Sequence, residues 1–289
     1  MGQADTIGIH YRGEQRPDRG TWKVCNNLLK GLDELKLPYR VNPPQGECLY
    51  NGILQGYGWA WDKKMAELNI LWGPNITVFP REAPWCFGKI SRHVVPCKWV
   101  EQCYKTDKNM LADLHIWPVG VDTESYYPIK KKKTKDCLIY YKTATRQRTE
   151  NDITIAINEL NARKQTYSII RYGSYTDAEF REACLTHRWM LVLAGTESQF
   201  IALLEAYSMG IPAYILDMNV FKYGGVEYTD AEYTTAPYTD ERCGIVGKTY
   251  ERIDEFLSCL GKYRPRDYVE SELTLAKCAK LYYNIITYA

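Results

Sequence analysis

No apolar run in the 289 residues approaches the ~20 residues that a membrane-spanning helix needs. The N-terminus, MGQADTIGIHYRG, has no apolar signal-peptide core. An excess of charge of one sign is missing too. A formal net charge of +2 gives no footprint for a strongly basic nucleic-acid binder, so no nucleic-acid partner is expected. The ten cysteines include no Cys-x-x-Cys pair, which removes the usual zinc spacing. Free thiols in a reducing, cytoplasmic compartment are the expectation. What is present is globular: 45% hydrophobic and 25% charged residues, in a chain long enough for two domains. Its 24 tyrosines and eight tryptophans exceed what a core of this size uses, so some are expected to line a polar, concave surface.

Periodicity divides the chain. Thr6–Tyr11 reads as a buried strand leading into the polar loop RGEQRPDRGT, and Val24, Leu28, Leu32 and Leu35 recur at helical spacing. Tyr39–Val41, His93–Pro96 and Leu114–Pro118 read as strands and Lys98–Tyr104 as a helix. The stretch from Gly46 to Trp85 carries apolar pieces, LNILWG and ITVFP, around GYGWAW, without a clear period. Residues 119–135, with Pro128 and the run Lys130–Lys133, read as a linker. That run also suits a peripheral contact with a membrane surface, although four lysines more often make a solvated linker. Beyond it strands and helices alternate regularly: CLIYY, NDITIAINELNARK, TYSIIRY, DAEFREACLT, WMLVLA, ESQFIALLEAYSMG and PAYILD. Such alternation implies right-handed βαβ units on a parallel sheet. Asp267–Thr287 reads as one long helix.

The segment Thr196–Pro212, TESQFIALLEAYSMGIP, is the sharpest signal. Thr196 and Gln199 are spaced as a capping box, and Gly210 and Pro212 mark the helix end. With Glu197 and Glu205 both in the helix, the two carboxylates lie roughly 12 Å apart along its axis, turned by roughly 80°. That reach matches the span from a sugar to the ribose of a nucleotide-diphosphate sugar. The helix start at the carboxyl end of a strand offers backbone N–H groups to a diphosphate. Taken alone, two glutamates on a helix also fit a solvated face.

Glu-x7-Glu followed by Ala-x-x-x-Gly-x-Pro resembles the donor-domain signature of glycosyltransferase family 4, a GT-B family of retaining enzymes. Further stretches follow in the family's order. RHVVPCKWVEQCYK resembles its Pro-Ser-x-Trp-Val strand and helix, with Cys97 in place of Ser. WPVGVDTESYYP resembles its domain-junction segment, and RYGSYTDAEFREA its base-flanking strand exit. The resemblance covers about residues 92–217, and the short first half is similar in size to transferases carried by large DNA viruses.

The resemblance implies an α/β fold of two Rossmann-like domains (GT-B) facing across a cleft. Residues 1–122 would be the acceptor-side domain, 123–265 the donor domain, and 266–289 a helix crossing back to the first. It implies a retaining hexosyltransferase that moves a sugar from a GDP- or UDP-linked donor to a glycan or other hydroxyl acceptor. A nucleotide-sugar epimerase or hydrolase, or a non-catalytic nucleotide-sugar binder, are the alternatives. Glu205 would hold the ribose and Glu197 the transferred sugar, with the backbone of Gln199, Phe200 and Ile201 near sugar or diphosphate. Lys142 and Arg148 are the candidates for neutralising the diphosphate, Arg146 competes with them, and all three also fit plain surface cations. Tyr172, Gly173 and Tyr175 are candidates for the base pocket, and Arg12, Gly13 and Gly20 for the loop after the first strand. His10 and His93 fit structural roles as well as catalytic ones. GYGWAWDKK offers rings for stacking a glycan acceptor, although such aromatics more often belong to a core. Residues 123–265 contain no Asp-x-Asp, so no metal and no cofactor beyond the donor are expected.

Overall fold

A computed structural model describes residues 5–15, 20–55, 69–75, 77–87, 92–143 and 147–288. The chain divides into two compact units, Met1–Gly120 with Leu273–Ala289, and Val121–Glu272. The divisions fall there rather than after 122 and 265.

In the first unit the elements are β1 (Ile7–Tyr11), α1 (Gly20–Glu34), β2 (Tyr39–Val41), β3 (Tyr50–Gln55), β4 (Asn69–Asn75), α2 (Pro84–Phe87), β5 (Arg92–Val95), α3 (Lys98–Lys105) and β6 (Asp113–Ile116). Among the described residues the strands form one parallel sheet, ordered β2-β1-β3-β4-β5-β6. β1 is buried along its whole length, and α1 buries Val24, Cys25, Leu28 and Leu32. Burying each such aliphatic side chain contributes about 1.5–3 kcal/mol. β3 lies in the unassigned stretch after Gly46; its centre, Asn51–Leu54, is buried, and strands buried on both faces carry no alternation to read.

The long helix expected over Asp267–Thr287 is two helices. Pro265–Glu272 ends before Thr274, whose side chain accepts from the Lys277 amide and starts a new helix, Leu275–Thr287. This C-terminal helix belongs to the first unit. It buries Leu275, Cys278, Ala279, Tyr282, Tyr283 and Ile286, one stripe at helical spacing. The Trp117 indole donates to Cys278 O at 2.9 Å and packs on Tyr282 with ring centroids 4.8 Å apart. The Tyr282 hydroxyl is buried with no hydrogen-bond partner among the described residues. Since an unmet buried hydroxyl costs about 1–3 kcal/mol, Tyr282→Phe is expected to raise stability by about 1 kcal/mol. A lowered urea midpoint would show that the hydroxyl is satisfied after all.

The second unit runs β7 (Lys135–Tyr141), α4 (Glu150–Ala162), β8 (Tyr167–Arg171), α5 (Asp177–Thr186), β9 (His187–Leu193), α6 (Ile201–Ser208), β10 (Ala213–Leu216), β11 (Phe221–Tyr223), β12 (Val226–Tyr228), β13 (Gly244–Gly247), α7 (Ile253–Ser258) and α8 (Pro265–Glu272). Five strands pair in parallel in the order β13-β10-β9-β7-β8. Capping boxes start two of the helices: Thr149 N donates to Asp152 at 2.6 Å, and Thr176 exchanges bonds with Glu179 at 2.7 and 3.2 Å. β11 and β12 form an antiparallel hairpin around Gly224 and Gly225, at φ 59° and 80°. Two successive positive φ values suit glycine and match the twist of a hairpin.

The lysine run is exposed throughout, and part of it is tied to neighbouring elements. Lys131 pairs with Glu182, Lys133 Nζ donates to Cys184 O at 3.1 Å and Lys135 Nζ to Ser168 Oγ at 2.6 Å. Alternate lysines of an extended, exposed segment thus strap it to α5 and β8. Among the described residues no helix is long and apolar enough to cross a membrane.

Candidate functional site

In the second sheet the chain leaves β7 toward β8 on one side and then returns to β9 on the other. The carboxyl ends of β7 and β9 are therefore a topological switch point, where open α/β sheets bind ligands. The register pairs Tyr141 with Leu193, and Lys142 N donates to Leu193 O at 2.9 Å. Lys142 leaves β7 at that point, and the loop Ala194–Phe200 leaves β9 beside it.

Lys142 and Glu197, 55 residues apart in sequence, meet here. Lys142 Nζ lies 2.7 and 2.9 Å from the two carboxylate oxygens of Glu197. Their side chains are only 17% and 11% exposed. Burial pushes the Glu197 carboxyl up, Lys142 pulls it down, and the balance is a raised pKa. A buried ion pair adds little net stability because desolvation offsets its attraction, so its place at the switch point is better explained by a ligand than by folding. Around it stand Tyr172, whose ring centroid is 4.5 Å from Lys142 Nζ, and Phe200, at 5.8 Å. Tyr140 packs on Phe200 and shares a 2.9 Å hydroxyl contact with Tyr175. Tyr172 is 45% exposed, and Gly173 follows it at φ 80°.

A carboxyl whose folded pKa is raised binds more protons folded than unfolded, so stability falls as pH rises from the unfolded carboxylate value through the folded one. Lys142→Ala is expected to steepen that fall, and the double variant Lys142→Ala/Glu197→Gln to abolish it. Urea midpoints measured from about pH 4 to pH 8 check this. Parallel profiles for the wild type and Lys142→Ala would refute the coupling.

α6 begins at Ile201, not at Thr196. Its first cap is Phe200, held in the left-handed region at φ 49°, ψ 52°, with no side-chain cap bond. The Thr196 hydroxyl is taken by Val220 O and the Gln147 amide instead of capping a helix. The 12 Å axial separation expected for the glutamates therefore does not apply, because Glu197 lies in the loop and only Glu205 in the helix. Gln199, Phe200 and Ile201 carry the chain from that loop into the first turn of α6, where backbone amides lack intrahelical partners. A bulky residue in the left-handed region costs about 1–3 kcal/mol, and such strain clusters at functional sites. Glu205 is 4% exposed. With burial as the larger cause, it helps raise the Cys184 thiol pKa on α5. At the far end of α6, Arg266 donates to Ser208 O at 2.7 Å, and Ser208 Oγ to Tyr126 O at 2.7 Å.

Arg148, expected at the diphosphate, is occupied otherwise. Its guanidinium donates to Ala194 O at 3.0 Å and to Leu216 O, and lies 3.5 Å from Asp152. Arg146 lies outside the described residues, as does GYGWAWDKK. Sequence reasoning did not single out Gln147, Asp217 or Thr234, which brace the Glu197 loop. Glu197 N donates to Thr234 O at 3.1 Å, and Thr234 Oγ1 to Asp217 at 2.8 Å. A polar residue just past the end of a buried strand is the signal that could have marked Asp217.

The first unit has its own switch point between β1 and β3, where Tyr11 pairs with Gln55. Arg12 is exposed there, and Gly13 approaches the Gln55 and Tyr11 side chains so closely that a Cβ would overlap them. Gly20 opens α1. His10 is buried with Nε2 2.9 Å from Asn51 Oδ1, and burial lowers its pKa. His93 is buried in a stack with Phe87, centroids 4.6 Å apart. Both histidines are core residues of the first unit. Among the described residues no His, Cys, Asp or Glu cluster has metal-holding geometry. A concavity of about 470 Å³ between β8 and α5, lined by Leu138, Ile170, Ala183 and His187 among others, includes none of the candidate residues.

No protein-family model and no curated protein matches the chain. Solved structures match its fold. An alpha-glucosyltransferase in complex with UDP and a 13-mer DNA containing an HMU base is 10% identical, covering 99% of this chain and 100% of that one, with a TM-score of 0.62. Sucrose-phosphate synthase from Thermosynechococcus elongatus is 11% identical over 99% and 100%, with a TM-score of 0.60. A chain of the GtfA/B complex is 12% identical over 82% of this chain, at a TM-score of 0.53, and this match spans 57% of that longer chain. At these identities the likeness is one of fold. The fold is α/β, with parallel sheets and helices, and matches GT-B glycosyltransferases along the full chain.

Proposed function

We propose that the chain is a retaining, metal-independent glycosyltransferase of the family 4 type, transferring a hexose from a UDP- or GDP-linked donor to a hydroxyl acceptor. The observation that carries this reading is the buried Lys142–Glu197 pair at the switch point, one loop before the helix that holds Glu205. A cation, an anion and first-turn amides then converge where a diphosphate joins a sugar. Glu205 would hold the ribose, Glu197 the transferred sugar, and Lys142 with the Gln199–Ile201 backbone the diphosphate. Tyr172, Gly173 and Tyr175 would flank the base.

In the reaction the acceptor oxygen bonds to the anomeric carbon while the bond from that carbon to the β-phosphate oxygen breaks, on the same face. The acceptor proton passes to an oxygen of the departing nucleoside diphosphate. Lys142 offsets the charge that grows on the leaving group, and Glu197 stabilises the positive charge developing on the sugar. The enzyme contributes position and charge, with no covalent step of its own.

A thermal-shift screen against UDP- and GDP-sugars tests donor binding, since a ligand of the native state raises the apparent midpoint. The acceptor panel holds glycans and an HMU-containing oligonucleotide. The alpha-glucosyltransferase of similar fold is bound to DNA, and a net charge of +2 does not by itself dismiss such an acceptor. Formation of a glycoside supports transfer, whereas donor cleavage without an acceptor product supports the hydrolase alternative. Activity is expected to survive EDTA; loss restored by magnesium or manganese would refute metal independence.

A further inference from the structure

The loop after β7 touches two other strand exits through neighbouring side chains. Arg148 Nε donates to Ala194 O at 3.0 Å, one residue past β9, and Nη2 donates to Leu216 O, the last residue of β10. Its Nη1 faces Asp152 on α4 at 3.5 Å, and the side chain is 9% exposed. Gln147 accepts from Thr196 N at 2.7 Å and donates to Val220 O at 2.8 Å, the carbonyl that also takes the Thr196 hydroxyl. The exits of β7, β9 and β10 are thus joined through two consecutive residues. Glu197 directly follows Thr196, and its own amide donates to Thr234 O at 3.1 Å.

We propose that Gln147 and Arg148 are positioning residues that hold the Glu197 loop at the switch point, and that Arg148 is not a ligand of the diphosphate. This rests on the donor-site reading above. The chemistry of the two side chains supports it. A guanidinium has a planar fork of donors, and here Nε and Nη2 serve carbonyls on adjacent strands while Nη1 faces a carboxylate. A lysine, with one point charge, cannot span both carbonyls in that geometry. Turning the fork toward a phosphate would withdraw its donors from two strand-end carbonyls, in a setting where unmet polar groups are costly, and would leave Asp152 held by Thr149 alone. Gln147 works as a matched amide: its oxygen takes an N–H and its nitrogen gives to a carbonyl. A catalytic carboxylate must be held within about 0.5 Å of its productive place, and Glu197 stands on a loop, so something must supply that rigidity.

The test uses Arg148→Lys and Gln147→Leu in the full chain, the first keeping charge and the second near-constant size. Expected is a fall in kcat of about tenfold or more, with Kd for UDP and GDP by calorimetry within about twofold of the wild type. Amide exchange at Thr196 and Glu197 should accelerate in both variants while the β7 and β9 amides stay protected. A tenfold weaker nucleotide Kd in Arg148→Lys would overturn the proposal, because it would make Arg148 a phosphate ligand. Unchanged exchange at Thr196 and Glu197 would also overturn it. Should the wild type bind neither nucleotide, the donor-site reading fails, and the exchange measurement still decides whether the two residues hold the loop.

Discussion

Glu197→Gln is expected to lower kcat about 100-fold while nucleoside-diphosphate affinity stays near that of the wild type. Glutamine keeps the shape of the side chain and removes its charge. The carboxylate would face the transferred sugar, where positive charge exists only in the transition state, so its loss should leave ground-state binding almost untouched. Glu205→Ala should fail in the other way. Glu205 is buried on α6, and the ribose it would contact does not change during reaction. Its loss should raise donor KM about tenfold or more, with a matching drop in UDP or GDP affinity, because hydrogen bonds to a charged group contribute about 1.5–3 kcal/mol. Calorimetry and steady-state kinetics on the two variants separate the roles. Normal turnover by Glu197→Gln, or wild-type nucleotide binding by Glu205→Ala, would leave the loop and helix as scaffold only.

Gly244→Ala is expected to destabilise the second unit by about 4 kcal/mol, a sum of backbone strain and overpacking. Gly244 opens β13 with φ at 142°, a conformation that side-chain-bearing residues rarely adopt. A Cβ there would overlap the carbonyl oxygen of Ala213, its partner in the parallel ladder. Backbone oxygen cannot rotate away as a flexible side-chain tip does, so β10 and β13 would have to separate. That same β10 ends in Leu216, with Asp217 next in the chain, and the two anchor Arg148 and Thr234. Loss of exchange protection should therefore start in β10 and β13. A midpoint within about 1 kcal/mol of the wild type would show that the sheet relaxes around the methyl group.

Much of the second unit was legible in the sequence because its strands and helices alternate with clean caps. DAEFREACLT runs from Asp177 to Thr186 in both sequence and structure, since Thr176 and Glu179 advertise its start. β3 was not legible, because Ile53 and Leu54 are both fully buried and a doubly buried strand has no polar beat. The break before Leu275 was hidden because Leu273 continues the apolar pattern of its neighbours, and only the Thr274 cap interrupts it. At the site, the sequence marked Lys142, Glu197 and Glu205 one by one. That Lys142 and Glu197 form a pair depends on β7 lying beside β9, which is a property of strand order. The strand-end carbonyls that Arg148 meets could not be read from the sequence, because a side chain's charge does not say which acceptors the fold brings to it. Gln147 escaped notice because an uncharged amide in a polar loop looks like any other.

The first unit is discontinuous in sequence, with its C-terminal helix made only after Val121–Glu272. Gly31 and Gly120 lie so close to Leu275 that a Cβ on either would collide with it, and Trp117 waits for Cys278 O as its acceptor. On a ribosome, where the chain emerges from its N-terminus and domains fold as units, the order of completion is therefore inverted. The unit translated first holds an open apolar seam while the unit translated second closes on its own, and the nascent chain must keep that seam from sticking until residues 275–287 arrive.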